Sequence, residues 1–186
     1  VSGHGIAAGL LMTTARALIR SRSAQPGTLS EIVTDVNRDL TLDIYDTGRF
    51  TTLLYLMVDT QNHLAKWVRA GHDAALLYDP ASDRFEELYG SGLALGWDEN
   101  YPYEENQRTG LIKGQIIFMG TDGIWETFDL NHKPFGKKPL KEIIRRNAAA
   151  SAENIRNKIL DALANHRQGQ EPEDDVTLIV IKMIED

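Results

Sequence analysis

Three apolar, strand-forming runs follow one another between Phe50 and Pro80: FTTLLYLMVDT, LAKWVRAGH and AALLYDP. Only Asp59-Thr-Gln-Asn62 and Gly71-His-Asp73 separate them, so the spacing predicts consecutive antiparallel hairpins. Helices come in pairs on either side of this strand-rich stretch. Ile6 to about Arg20 is rich in Ala, Leu and Met, with Gly3 and Gly5 before it rather than inside it. Thr28-Leu-Ser-Glu31 has capping-box spacing, and Leu29, Ile32, Val33, Val36 and Leu40 recur on one face. Two further helices are predicted at about 139–148, with Pro139 at its start, and 152–166, with Ile155, Ile159, Leu160 and Leu163 facing inward. Strands are expected near 101–106 and 115–120, and VTLIVIKMI reads as a buried terminal strand. Hairpin order with paired helices favours an α+β fold of antiparallel sheets covered by helices over a doubly wound parallel sheet.

A chain of 186 residues fits one domain, 1–186, and is long enough to bury a substantial core. The balance of 27 acids against 20 bases gives −7, which argues against a general nucleic-acid or membrane-surface binder. There is no cysteine, so disulfides, thiolate metal sites and cysteine nucleophiles are excluded. No apolar run reaches the roughly 20 residues of a membrane span and nothing resembles a secretory signal, so a cytoplasmic location is expected. The chain begins at Val1, inside what reads as a motif, and is expected to be a piece of something longer.

Two acidic positions share a geometry. Asp122 immediately follows the strand QIIFMG, and Asp174 and Asp175 immediately precede the strand VTLIV. If these strands are neighbours, the acids meet at one rim, where clustered carboxylates need a cation or a proton. Oxygen-only ligands of this kind suit Mg²⁺ or Mn²⁺. An ordinary Asp-Gly turn and a solvated acidic pair explain the same residues, and the pattern does not choose between them. In VSGHGIAAGLLM, the glycines allow close backbone approach to a ligand and a helix N-terminus follows, which suits an anion; taken alone, the residues favour a plain helix lead-in with His4 at the surface. His72 reads as a loop-supporting residue in a hairpin turn, and Trp67, Trp97 and Trp125 as packing residues.

Taken in order, VSGHG with AAGLLM, FTTLLYLMVD, RAGHDAALLY, GLALGW, GQIIFMGTDGIWE, KPFGKKPL and EDDVTLIVIK resemble the bacterial stress- and sporulation-type branch of the metal-dependent serine/threonine protein phosphatases, which are protein phosphatase 2C-like. The resemblance runs almost from Val1 to Lys182. It implies a four-layer α-β-β-α sandwich, two antiparallel sheets flanked by helix pairs, with a two-metal site for Mn²⁺ or Mg²⁺ at one edge. By the same resemblance, Asp122 and Asp174 match metal ligands and Val1 would offer its backbone carbonyl. Gly123 and Asp175 would lie beside the ligands and support them. His4 would give a proton to the leaving serine oxygen, although the family does not uniformly keep that residue.

The implied reaction is attack of metal-activated water on phosphoserine or phosphothreonine, without a phosphoenzyme. The implied substrate is a phosphorylated regulatory protein of the anti-anti-sigma type, and the implied upstream neighbour is a sensor or receiver domain. The Asp that precedes Val1 in the family motif and the family's early strands are absent from this sequence, which implies an incomplete metal site and uncovered edges that favour a homodimer or swapping. Two rival readings stand beside the phosphatase. One is a non-catalytic, partner-binding regulatory module with a degraded metal site. The other is an acidic nucleotide- or metal-binding scaffold, disfavoured because no phosphate loop accompanies the acids.

Overall fold

The helices and strands arise largely where the local chemistry asks for them. Helix α1 (Ile6–Ser23) begins at Gly5, and α2 (Leu29–Ile44) begins at Thr28. The capping box forms: the Glu31 amide donates to Thr28 Oγ1 at 3.2 Å and the Thr28 amide donates to the Glu31 carboxylate at 2.7 Å. Seven strands follow in the computed structural model, which describes residues 1–184: β1 (Leu53–Asp59), β2 (Leu64–Ala70), β3 (Ala75–Asp79), β4 (Arg84–Leu88), β5 (Asn106–Thr109), β6 (Ile116–Gly120) and β7 (Leu178–Lys182). Helices α3 (Lys137–Arg146) and α4 (Ala152–Arg167) lie between β6 and β7 in the chain. The α+β class and the two antiparallel sheets are as expected. No helix among the described residues is long and apolar enough to cross a membrane.

The chain divides into two compact units. The first, Val1–His72 with Tyr89–Gly110, holds α1, α2 and a sheet of order β1-β2-β5. Its core joins Leu11 and Ala15 of α1, Val33, Val36, Leu40 and Ile44 of α2, and Val68 and Ala70 of β2. All five residues read as the inner face of α2 are buried, each contributing about 1.5–3 kcal/mol by removal from water. The second unit, Asp73–Leu88 with the chain from Leu111, holds α3, α4 and a sheet of order β4-β3-β6-β7. There Leu76, Ile116 and Phe118 of the sheet pack with Leu140 and Ile144 of α3 and Ile155, Ile159 and Leu163 of α4.

The differences from the sequence reading have local causes. β1 and β2 do form a hairpin, but Gly71-His-Asp73 is not a second one: β2 pairs onward with β5, and β3 belongs to the other sheet. A bare Gly71 is required there, since a Cβ would come 2.9 Å from the Ala94 amide nitrogen and φ is +68°. β4 has no counterpart in the expected strands, because its charged residues Arg84, Glu86 and Glu87 mask an edge strand. The strand expected near 101–106 starts only at Asn106, after Pro102, which lacks a ladder donor. Pro139 sits within the first turn of α3 rather than at its first position, Leu160 is 41% exposed, and β7 is a half-buried edge strand with Ile179 half exposed.

One polar junction ties the first unit together. The Glu105 carboxylate accepts from Lys66 Nζ of β2 at 2.7 Å and from the Leu29 amide at the start of α2 at 2.8 Å. The Lys66 ammonium, with help from that amide, holds the Glu105 carboxyl below its ordinary 4.5 despite partial burial. Its stabilisation is therefore fully present above about pH 4.5 and is lost as pH falls through the lower folded value. Glu105→Gln is expected to cost about 1–2 kcal/mol in urea denaturation near neutral pH. The gap between variant and parent should shrink in acid; a gap independent of pH would contradict the assignment.

Candidate functional site

β6 and β7 lie side by side with Gly120 opposite Leu178, so the residues after one strand meet those before the other. The pairing continues beyond the strands through Thr121. Its amide donates to the Thr177 carbonyl at 3.0 Å, its hydroxyl donates to the Asp175 carbonyl at 3.1 Å, and the Thr177 amide donates to that hydroxyl at 3.1 Å. Gly123 completes the approach. A Cβ there would sit 2.5 Å from the Asp175 carbonyl oxygen, so only a residue without one lets this turn lie against the opposing segment.

The turn itself is anchored from below. Ile124 is fully buried in the core of the second unit, the Glu126 amide donates to the Asp122 carbonyl at 2.8 Å, and Thr127 Oγ1 donates to the Gly123 carbonyl at 2.5 Å. Farther along, the Gly136 amide donates to the Trp125 carbonyl at 2.9 Å, and Lys137 Nζ lies 4.5 Å from the centre of the Trp125 ring. The loop from Asp122 to Lys137 thus folds back on its own start.

Asp122, Gly123, Asp174 and Asp175 are therefore brought to one place in the second unit, with both ligand-type carboxylates exposed. Asp122 Oδ1 accepts from the Gly123 amide at 3.1 Å and Asp174 Oδ1 from the Asp175 amide at 2.7 Å. Neither carboxylate has an ion-pair partner among the described residues. The rest of their oxygen valence faces outward. Thr121, which makes the tie between the two segments, escaped the sequence reading; its position between a buried strand and an acid was the available signal.

Val1 and His4 belong to the first unit. The Ser2 amide donates to the Phe50 carbonyl at 2.8 Å, and the Phe50 amide donates back to Ser2 Oγ at 2.9 Å, fixing the loop to the chain that enters β1. Gly3 and Gly5 both have φ of +80°, a conformation that explains glycine at each, and His4 between them is exposed. His72 Nδ1 lies 3.2 Å from Thr52 Oγ1, a contact that joins the crossing segment to the entry of β1, in keeping with a loop-supporting role. Trp67 is buried as expected, whereas Trp97 is 66% exposed and packs edge-on against the Phe50 ring, with centroids 5.8 Å apart.

Residues 1–184 match the family model described as Stage II sporulation protein E (SpoIIE). The chain belongs to the SpoIIE family. It is similar to the phosphoserine phosphatase RsbU of Bacillus subtilis (strain 168), 28% identical over 183 residues that cover 98% of this chain and 53% of RsbU. The SiaA-PP2C domain of Pseudomonas aeruginosa shares its fold with a TM-score of 0.81 at 19% identity, covering 97% of this chain and 72% of that one. RsbX in complex with magnesium gives a TM-score of 0.68 at 17% identity over 96% of this SpoIIE-family chain and 75% of its own. The fold is thus that of PP2C phosphatase domains, and the resemblance carried by the ordered motifs is borne out. The chain spans about half the length of the curated relatives it matches, 53% of RsbU and 43% of the B. subtilis phosphoserine phosphatase RsbP.

Among the described residues, no group of three or more His, Cys, Asp or Glu side chains is gathered to hold a metal ion. The donors that do meet still fit a hard divalent cation. Asp122 and Asp174 are oxygen donors with unpaired charge, and Mg²⁺ in particular takes one or two carboxylates and keeps several waters.

Proposed function

We propose that this chain is the phosphatase part of a regulatory protein and hydrolyses phosphoserine or phosphothreonine on a protein substrate with Mn²⁺ or Mg²⁺. The observation that carries the reading is the pair of segments tied by Thr121, which present Asp122 and Asp174 at neighbouring strand ends on either side of a bare Gly123. In this reading Asp122 and Asp174 hold the cation, Asp175 and Gly123 fix the spacing between their segments, and Val1 contributes its backbone carbonyl. When bound, the cation would neutralise phosphoryl charge and acidify water. The bond that breaks joins phosphorus to the serine oxygen; the bond that forms joins phosphorus to the oxygen of water. His4, exposed on the glycine loop, supplies the proton that the departing serine oxygen takes up.

The proposed substrate is a phosphorylated protein of the anti-anti-sigma type, the proposed compartment is the cytoplasm, and the proposed setting is one phosphatase domain beside a sensor or receiver domain in a longer chain. The similarity to the phosphoserine phosphatase RsbU supports a phosphoserine-bearing substrate. A second reading, a regulatory module that binds a partner without catalysis, draws on the missing third acidic donor among the described residues.

The test is release of inorganic phosphate from a phosphoserine protein by the intact protein, with Mn²⁺, with Mg²⁺ and with a chelator. Hydrolysis that depends on the cation is expected. Binding of Mn²⁺ without any hydrolysis would turn the balance to the module.

A further inference from the structure

We propose that Thr121 is a positioning residue that presets the spacing of Asp122 and Asp174, and with it the preference of their site for a small octahedral cation over a larger one. The inference rests on the reading of those two carboxylates as cation holders, and every group in it lies in the second unit. It starts from how unequally the two acids are held.

On the Asp122 side the turn is fixed by its own hydrogen bonds. The Thr121 carbonyl accepts from the Ile124 amide at 3.1 Å, the Asp122 carbonyl from the Glu126 amide at 2.8 Å, and the Gly123 carbonyl from Thr127 Oγ1 at 2.5 Å. Three successive carbonyls are engaged, above a fully buried Ile124. The Asp174 side has no such support. Residues 171–175 lie in neither a helix nor a strand, and all five are exposed. Among the described residues, this stretch makes one hydrogen bond to a distant part of the chain, the one that the Asp175 carbonyl accepts from the Thr121 hydroxyl at 3.1 Å.

That hydroxyl is committed in both directions. It donates to the Asp175 carbonyl and accepts from the Thr177 amide at 3.1 Å, while the bare Gly123 admits the same carbonyl from its own side. Turning it away would leave a donor or an acceptor of the opposing segment without its partner. Valine copies the shape of threonine with neither function, and serine keeps both. Without the tie, the Asp174 carboxylate follows its loop while Asp122 stays in place. Mg²⁺ demands near-ideal octahedral geometry, whereas Ca²⁺ accepts irregular and longer contacts. Carboxylates spaced in advance therefore favour the smaller ion, and a loosened pair loses that advantage first.

The test compares the intact protein with Thr121→Val and Thr121→Ser by calorimetric titration with Mg²⁺ and, separately, with Ca²⁺. Mg²⁺ affinity should fall roughly 10- to 100-fold in Thr121→Val, as for other residues that orient a metal ligand, and Ca²⁺ affinity by less. Thr121→Ser should bind both ions as the parent does. Melting without cation separates this effect from loss of the fold. An unchanged Mg²⁺ affinity in Thr121→Val, or an equal fall for both ions, overturns the proposal, because a merely structural tie would not move their ratio. If Thr121→Val fails to fold, Gly123→Ala decides. A methyl there displaces the Asp175 carbonyl with the hydroxyl still in place, so an unchanged ratio again overturns the proposal. A parent that prefers Mg²⁺ but hydrolyses no phosphoserine overturns the phosphatase reading and leaves the role of Thr121 standing; a parent that binds neither ion overturns that role.

Discussion

Asp122→Asn is expected to lower cation-dependent phosphoserine hydrolysis by about a thousandfold, because the charge that would hold the proposed cation is lost, and with it several kcal/mol of transition-state stabilisation. The fold should not follow. The Asp122 side chain accepts one described hydrogen bond, from the adjacent Gly123 amide, and the amide oxygen of Asn can accept it too. Thermal unfolding is therefore expected to change by no more than about 0.5 kcal/mol, as for a surface substitution. Asp174→Asn should have a loss of the same order, and the double variant should lose little more than either single one if both carboxylates serve one cation. The check is hydrolysis against Mn²⁺ concentration beside direct Mn²⁺ titration. Undiminished activity in Asp122→Asn would remove it from the metal site.

Asn37→Leu is expected to cost about 1–3 kcal/mol of stability although the two side chains are close in size. Asn37 is fully buried on α2, donates from Nδ2 to the Asp98 carbonyl at 2.7 Å and accepts from the Gly96 amide at 2.9 Å on Oδ1. Leucine would leave the Gly96 amide without this partner, while the Asp98 carbonyl keeps the hydrogen bond it accepts from the Tyr101 amide at 3.2 Å; one orphaned group costs roughly 1–3 kcal/mol. The segment Leu95–Asp98 that carries Trp97 would lose its two hydrogen bonds to Asn37 of α2. Chemical denaturation should show the loss, and hydrogen exchange at the Gly96 amide should quicken beyond the global change. A stable variant with a protected Gly96 amide would show that the loop is held otherwise.

How far each element could be read depended on whether its signal was local. The α2 capping box, the apolar stripe of that helix and the β1–β2 hairpin are written in neighbouring residues and were legible. So was the placement of Asp122 and Asp174 at strand ends. Their meeting depended on β6 pairing with β7, a contact between distant parts of the chain, and the local pattern alone favoured an ordinary turn over a ligand. The ordered motifs resolved the family because they sample the whole chain. Gly71-His-Asp73 was misread for the opposite reason: its composition is that of a tight turn, but the glycine serves a close approach to Ala94 where the chain leaves one sheet for the other.

Because each unit is assembled from two stretches of chain, the order of synthesis does not match the order of completion. A nascent chain that has reached Gly110 contains every residue of the first unit, yet it also carries the β3–β4 hairpin, whose partner β6 has not been made. Until Ile116–Phe118 emerge, Leu76, Leu77 and Tyr78 lack the strand that covers one edge of β3 in the finished sheet. β6 in turn awaits β7, which is made only after α3 and α4. Pausing between Gly110 and Ile116 would therefore hold an open, apolar strand edge in the cell, the condition under which wrong pairing and aggregation begin.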